Sequence, residues 1–219
     1  MGIEPKHQTK LSGITGVILA GGRSSRMGSN KALLPYREGL FIEAIHRQLS
    51  NLFPEVLLVT DTPEQYDFLP CRKVGDIHPG MGALAGLHSG LSHGSTEHIF
   101  AVACDMPYLS ELLIRHLAQQ ANSRGVVIPE SPGGLEPLHA VYGKGCLPAM
   151  EAALDAGEQR IVSFFGQVPV QRITAAEMAY ADPNLDSFRN INTPDEYFRL
   201  RREQQAESGI DYGQAARVL

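Results

Sequence analysis

Apolar residues fall into two rhythms along this chain. Ile14 to Ala20 is a short apolar run, β-branched at its start and closed by Gly21-Gly22, which predicts a buried strand feeding a loop. Val56 to Thr60, closed by Asp61-Thr62-Pro63, and Ile99 to Ala103, closed by Cys104-Asp105-Met106-Pro107, repeat that pattern, and Val126 to Ile128 is a fourth run. Between them the spacing changes. Phe41, Ile42, Ile45, Leu49 and Leu52 recur at intervals that share one helical face, predicting a helix over 40–52 that Pro54 ends. Leu84, Leu87 and Leu91 form a second stripe, and Ser110 is the expected N-cap of a helix over Glu111 to Gln120 carrying Leu113, Leu117 and Ala121. Strands that alternate with helices predict a mostly parallel sheet wrapped by helices.

After Pro132-Gly133-Gly134 the rhythm continues with Pro137 to Tyr142 as a strand, Leu147 to Ala156 as a helix and Val168 to Ile173 as a strand, which either extend the sheet or form a lid. The expected organisation is an N-terminal extension over 1–13, one domain over 14–200, and a helix end with a loose polar tail over 201–219. No internal repeat stands out. A net charge of −5 over 219 residues excludes a general polyanion or nucleic-acid binder. Three widely spaced cysteines with no C-x-x-C pair indicate neither a disulfide framework nor a zinc knuckle, so a reducing cytoplasm is expected. The first residues hold no apolar signal core and no run is long enough for a membrane span, so secretion and membrane insertion are not expected.

The densest chemistry follows the first strand. In Leu19-Ala20-Gly21-Gly22-Arg23-Ser24-Ser25-Arg26-Met27-Gly28-Ser29-Asn30-Lys31, glycines let backbone N–H groups face an anion while Arg23, Arg26 and Lys31 supply cations for a polyphosphate. It is neither a Walker A loop nor a dinucleotide G-x-G-x-x-G. A solvated surface loop is the plainer alternative, but ligands of open α/β sheets bind at strand carboxyl ends, where this segment stands. Asp105 is placed just past another strand, where a carboxylate can hold Mg²⁺ or simply begin a turn with Pro107. Gly80-Met81-Gly82-Ala83-Leu84-Ala85-Gly86 is expected to be a tight loop opening a helix, with Asp76 able to accept from a base; the polar stretch before it argues against a dinucleotide fold. Asn190 to Glu196 reads first as a helix start, with Thr193 as cap, Pro194 at the first helical position and Glu196 closing a capping box. That leaves Asn190 and Asn192 free to face a phosphate or a metal-bound water. His88, His93 and His98 straddle an expected helix end and are read as unpaired, not as zinc ligands; His139 is read as strand or pocket lining. No G-x-S-x-G supports a serine nucleophile.

In this order the motifs resemble the molybdenum cofactor guanylyltransferase family, nucleoside-triphosphate transferases with a Rossmann-like three-layer α/β/α fold. The resemblance runs from about Gly16 to Leu200 and rests on Leu19-Ala20-Gly21-Gly22 with Arg26-Met27-Gly28 and Lys31, then Leu84-Ala85-Gly86, Cys104-Asp105-Met106-Pro107 and Asn190-Ile191-Asn192-Thr193-Pro194. It implies that Leu19, Ala20, Gly21, Gly22 and Lys31 contact GTP, that Asp76 helps hold guanine, and that Asp105 binds Mg²⁺ and nucleotide together. It places Asn190 and Asn192 toward molybdopterin, and Arg26, Lys31 and Asp105 in catalysis. Two positions depart from the family: Asn30 stands where a carboxylate often precedes the lysine, and Ala83 replaces a frequent proline. Gly21-Gly22, rather than Ala-Gly, favours guanine over cytosine within the family.

The activity so implied is attack of a molybdopterin phosphate on the α-phosphorus of GTP, with Mg²⁺ as cofactor and pyrophosphate released. Molybdoenzymes or their chaperones are the expected recipients of the product. The alternatives are a cytidylyl- or other nucleotidyltransferase acting on a different phosphorylated acceptor, such as a sugar phosphate or methylerythritol phosphate, and a GTP-binding adaptor without catalysis.

Overall fold

Every apolar run read as a strand forms one, and every helical stripe forms a helix. The computed structural model describes residues 9–21, 30–122 and 124–208. In chain order these hold β1 (Ile14–Leu19), β2 (Pro35–Tyr36), β3 (Gly39–Leu40), α1 (Phe41–Leu52), β4 (Val56–Val59), β5 (Arg72–Val74), α2 (Gly82–His93), β6 (His98–Ala103) and α3 (Glu111–Gln119). They continue with β7 (Val126–Ser131), β8 (Gly134–Leu135), β9 (His139–Gly143), α4 (Leu147–Asp155), β10 (Val170–Thr174), α5 (Ala175–Met178) and α6 (Pro194–Ser208).

The main sheet has the order β10-β7-β9-β6-β1-β4-β5, with β8 paired to β7. β1 lies inside it, parallel to β4 on one side and to β6 on the other. β9 is antiparallel to both β6 and β7, which leaves β7 and its parallel neighbour β10 running in the common direction. The second half of the chain therefore extends the sheet. Side chains alternate across β1: Ile14 and Ile18 join a core with Ile42, Ile45 and Leu49 of α1 and Leu113, Ile114 and Leu117 of α3. Val17 and Leu19 face a second core with Leu84, Leu87 and Leu91 of α2 and Met150 and Leu154 of α4. The result is three layers, helix on sheet on helix, and it explains why the central strands are apolar on both faces.

Local signals set the helix ends. Ser110 Oγ accepts the Leu113 N–H at 3.3 Å, and the α1 chain leaves the helix at Phe53, just before Pro54. Gly80 and Gly82 have φ of +81° and +69°, backbone that suits glycine in the tight loop opening α2. Gly75 to Pro79, the stretch before this loop, is irregular as expected, and the strand that ends just before it, Arg72–Val74, pairs in parallel with β4 as an edge strand. Its three residues are too few and too polar to stand out by pattern. α6 reaches Ser208, and the tail beyond it lies outside the described residues.

Candidate active site

The carboxyl end of β1 meets both of its neighbours. The Ala20 N–H donates to Val59 O at 2.9 Å and the Cys104 N–H donates to Leu19 O at 3.2 Å, so the loops leaving β1, β4 and β6 start side by side. In chain order β4 and β5 extend the sheet to one side of β1 and β6 opens the other, so this is a point where strand order reverses, the usual place for a ligand crevice.

On the β6 flank three distant segments converge. Lys31 opens a short 3-10 turn over Lys31–Leu33. Its Nζ donates to Asn192 Oδ1 at 2.6 Å and lies 3.3 Å from Asp105 Oδ2. Lys31 and Asp105 side chains are 17% and 19% exposed, enough shielding to strengthen the pair and enough access for a ligand. The Ile191 N–H donates to Asp105 O at 3.0 Å, which ties the C-terminal segment directly to the β6 loop. That segment is held from the other side by the expected capping box. Glu196 Oε2 accepts from the Asn192 N–H at 2.7 Å and the Thr193 N–H at 2.9 Å, while Thr193 Oγ1 accepts the Glu196 N–H at 3.3 Å. These N–H groups, Asn192 first, hold the Glu196 carboxyl below the usual carboxylate range. Asn190 is exposed at the start of the same segment.

On the β4–β5 flank lies Asp76. Its N–H donates to Asp61 Oδ1 at 3.4 Å, and burial together with the Asp61 charge pushes its carboxyl up to about 6. A Cβ built on Gly86 would lie 3.5 Å from Asp76 Oδ1 and 3.7 Å from Leu19 Cδ2. The absence of a side chain at Gly86 thus leaves a flat backbone face beside Leu19 and Asp76. The Ile77 N–H donates to Ser89 Oγ at 2.8 Å, which fixes the segment to α2.

The expected site residues are therefore brought together in two clusters around β1, Lys31, Asp105 and Asn192 on one flank and Leu19 with Asp76 on the other. Ala20 and Gly21 lie between them. Gly22 and Arg26, and with them Arg23, lie outside the described residues. Asp61 was given no role by the sequence, although it ends the Val56–Thr60 run in the way Asp105 ends its own. Among the described residues no group of three or more His, Cys, Asp and Glu side chains is gathered for a metal. The donors at Lys31's end of the site are oxygens, Asp105 and Asn192, which suit a hard cation that takes most of its remaining ligands from phosphates and water. Burial, and then the Asp105 charge, push the Cys104 thiol up to about 12, so it stays protonated.

The histidines divide. His139 is completely buried at the start of β9 with neither ring nitrogen partnered, which agrees with lining and not with a base. His88 is also buried, but its Nε2 lies 3.4 Å from Glu151 Oε1, so it is not unpaired as expected. The contact joins α2 to α4, a tertiary proximity that spacing within one helix does not reveal.

Comparison with known proteins decides the family. The model of the MobA-like NTP transferase domain matches residues 16–171. This chain belongs to that family. It is 37% identical over 188 residues to a probable molybdenum cofactor guanylyltransferase of Pelotomaculum thermopropionicum, covering 85% of this chain and 91% of that one. It is 33% identical over 205 residues to the molybdenum cofactor guanylyltransferase of Desulfosudis oleivorans, covering 93% and 98%. Among solved structures, molybdopterin-guanine dinucleotide biosynthesis protein A from Archaeoglobus fulgidus superposes with a TM-score of 0.76 at 26% identity, covering 88% of this chain and 99% of that one. As a MobA-like transferase the chain has the three-layer fold that its motifs imply, and its paired clusters lie at the carboxyl ends of the parallel strands.

Proposed function

We propose that this protein transfers GMP from GTP to the phosphate of molybdopterin, with or without bound molybdenum, forming molybdopterin guanine dinucleotide and pyrophosphate. The observation that carries this reading is the Lys31 ammonium held between Asp105 and Asn192 at the end of β1. The guanylyltransferase relatives supply the substrate class. An oxygen of the acceptor phosphate attacks the α-phosphorus of GTP, and the bond from that phosphorus to the β-phosphate bridging oxygen breaks. Its electron pair leaves with pyrophosphate. The acceptor is already an anion near neutral pH, so no general base is required. The protein's part is positioning and charge compensation.

In this reading Leu19, Ala20, Gly21 and Gly22 present backbone to the nucleotide, Asp76 accepts from the guanine edge, and Lys31 with Arg26 faces the phosphates. Asn190 and Asn192 hold the acceptor. Asp105 would hold Mg²⁺ together with phosphate oxygens, and the ion would offset the charge that grows on the leaving oxygens. Leu19 and Asp76 lie on one flank of β1 and Asn192 on the other, which suits a nucleotide laid across the strand end with its phosphates toward the acceptor. We place the reaction in the cytoplasm, consistent with three free cysteines and with the absence, among the described residues, of a helix long and apolar enough to cross a membrane. Molybdoenzymes or their chaperones would take the product.

Pyrophosphate release with molybdenum-loaded molybdopterin and Mg²⁺, measured separately with GTP, CTP and ATP, tests the reading. Release with GTP is expected, and Lys31→Ala is expected to lower kcat/KM by about two to three orders of magnitude while the protein still folds. Release with CTP alone would overturn the base assignment. Binding of GTP with no release would leave an adaptor, and wild-type turnover in Lys31→Ala would remove Lys31 from the mechanism.

A further inference from the structure

The turn that carries Lys31 is held by the residue before it. Asn30 has extended backbone, φ −71° and ψ 108°, and its Oδ1 caps the turn by accepting the Ala32 N–H at 3.1 Å. Its Nδ2 donates in two further bonds, to Gln65 Oε1 at 2.9 Å and to Tyr66 OH at 2.8 Å. Tyr66 is 1% exposed and belongs to the α1-side core, so the anchor is a packed side chain and not a mobile one. Ala32, on the other side of Lys31, is wholly buried in the same core. Lys31 is thus a partly exposed cation between two fixed neighbours. A carboxamide is the side chain that accepts on one arm while donating twice on the other. Both arms are engaged by protein, and the group adds no negative charge next to an ammonium that already faces Asp105.

We propose that Asn30 is a positioning residue for Lys31: its three hydrogen bonds fix the turn that aims the Lys31 ammonium at the triphosphate, and it is not a metal ligand. The inference rests on the reading of Lys31 as the cation that meets the nucleotide phosphates. It also accounts for the departure at this position, since shape and hydrogen bonding there do not require a carboxylate. Asp in place of Asn keeps the capping oxygen, and the Gln65 amide and Tyr66 hydroxyl can turn to donate to it. Ala keeps none of the three bonds.

The test is a set of four variants, Asn30→Ala, Asn30→Asp, Lys31→Ala and the double Asn30→Ala/Lys31→Ala, read by pyrophosphate release and by calorimetric GTP affinity. Asn30→Ala is expected to lower kcat about tenfold by loosening the cation, with the Mg²⁺ half-saturation unchanged. Asn30→Asp is expected to return kcat to within about threefold of wild type, because the geometry is restored. In the Lys31→Ala background the Asn30→Ala change should cost no further turnover or GTP affinity, since a residue that acts through Lys31 has nothing left to position. Wild-type kcat in Asn30→Ala overturns the proposal. So does a loss that persists undiminished in the Lys31→Ala background, which marks a role in folding alone, and so does a Mg²⁺ half-saturation moved severalfold, which marks a metal ligand. If the wild type binds GTP but releases no pyrophosphate, the guanylyl-transfer reading fails by itself, and the same coupling, read from GTP affinity, still decides Asn30. If the wild type binds no GTP, both fall together.

Discussion

Lys31 has its partners in place, between the Asp105 carboxylate and the Asn192 carboxamide, so the charge proposed to meet the phosphates is preorganised rather than recruited. Each of these residues was legible as a candidate from its motif. Their mutual contact was not, because it depends on how far-separated segments approach in three dimensions. The same limit applies to Asn30, where the sequence shows an unusual residue but not the Tyr66 and Gln65 that satisfy it. His139 shows the opposite case, since an isolated histidine within an apolar strand already points to burial. Its ring stands at 5.0 Å from Phe100 and 5.3 Å from Phe188, both edge-on, and burial drives its pKa from 6.5 down to about 3. The folded state thus keeps the imidazole neutral while the unfolded chain protonates it. Above about pH 6.5 this group has no effect on stability; as pH falls from there toward 3 the fold loses up to about 1.4 kcal/mol per pH unit. His139→Leu removes the titrating group and leaves an apolar side chain among aromatic rings. Its stability relative to wild type, from equilibrium denaturation, is expected to rise by about 2 kcal/mol between about pH 7 and about pH 5. A difference that stays constant across that range would show that His139 is not held neutral.

At the scale of elements, periodicity located α1 to α4 and the long strands, because each has one apolar face or two to bury. β2, β3 and β8 have two residues each, too short for any period to register. Direction was equally unreadable in β9: an apolar run looks the same parallel or antiparallel, and only its place between β6 and β7 shows that it runs against them. The glycine run Gly80 to Gly86 was read as a tight loop opening a helix, which holds for Gly80 and Gly82. Gly90, two turns into the helix, has a different use. A Cβ there would sit 2.6 Å from Val17 Cγ1 and 3.4 Å from Val59 Cγ2, so the missing side chain lets α2 lie directly on β1 and β4. Gly90→Ala improves helix propensity by about 1 kcal/mol but forces a β-branched, wholly buried neighbour to move. The clash outweighs the propensity, and a net destabilisation of about 1 to 2 kcal/mol is expected. Denaturant unfolding checks it; a stabilised variant would mean that the helix can lift off the sheet at no cost.

Across the whole molecule the sheet order matters more than any single motif. With β1 inside the sheet between β4 and β6, the carboxyl ends of β1, β4, β5 and β6 lie along one edge of the sheet, the usual place of a ligand crevice, and the C-terminal segment joins the β6 side through the Ile191 bond to Asp105 O. A ligand spanning that crevice bridges segments that are far apart in sequence, so it stabilises the folded chain as a unit, by about 2.7 kcal/mol at one hundred times its Kd. In the proposed reading Asp76 makes this stabilisation dependent on pH. Its folded pKa, raised from 3.8 to about 6 by burial and by Asp61, means that the unliganded fold carries a penalty that is full above about pH 6 and absent below about pH 4. With solvent screening at this partly exposed site the penalty is about 1 kcal/mol. In the proposed reading guanine has the opposite requirement, since its ring and amino N–H donors are best accepted by the ionised carboxylate. On that reading the site holds a charge at neutral pH that weakens the empty protein and would serve the bound one. Thermal unfolding of wild type and Asp76→Asn, with and without GTP and Mg²⁺, separates the two effects. Without nucleotide, Asp76→Asn is expected to melt a few degrees higher than wild type at about pH 7.5 and to match it near pH 4. With saturating GTP the wild-type midpoint should rise strongly at about pH 7.5 and much less at about pH 5, because lower pH protonates the acceptor. In Asp76→Asn the GTP-induced rise should be small at both. An equal, large GTP shift in the variant would place guanine recognition elsewhere in the crevice, while a GTP shift in wild type that does not change between the two pH values would mean that Asp76 is not the group that reads the base.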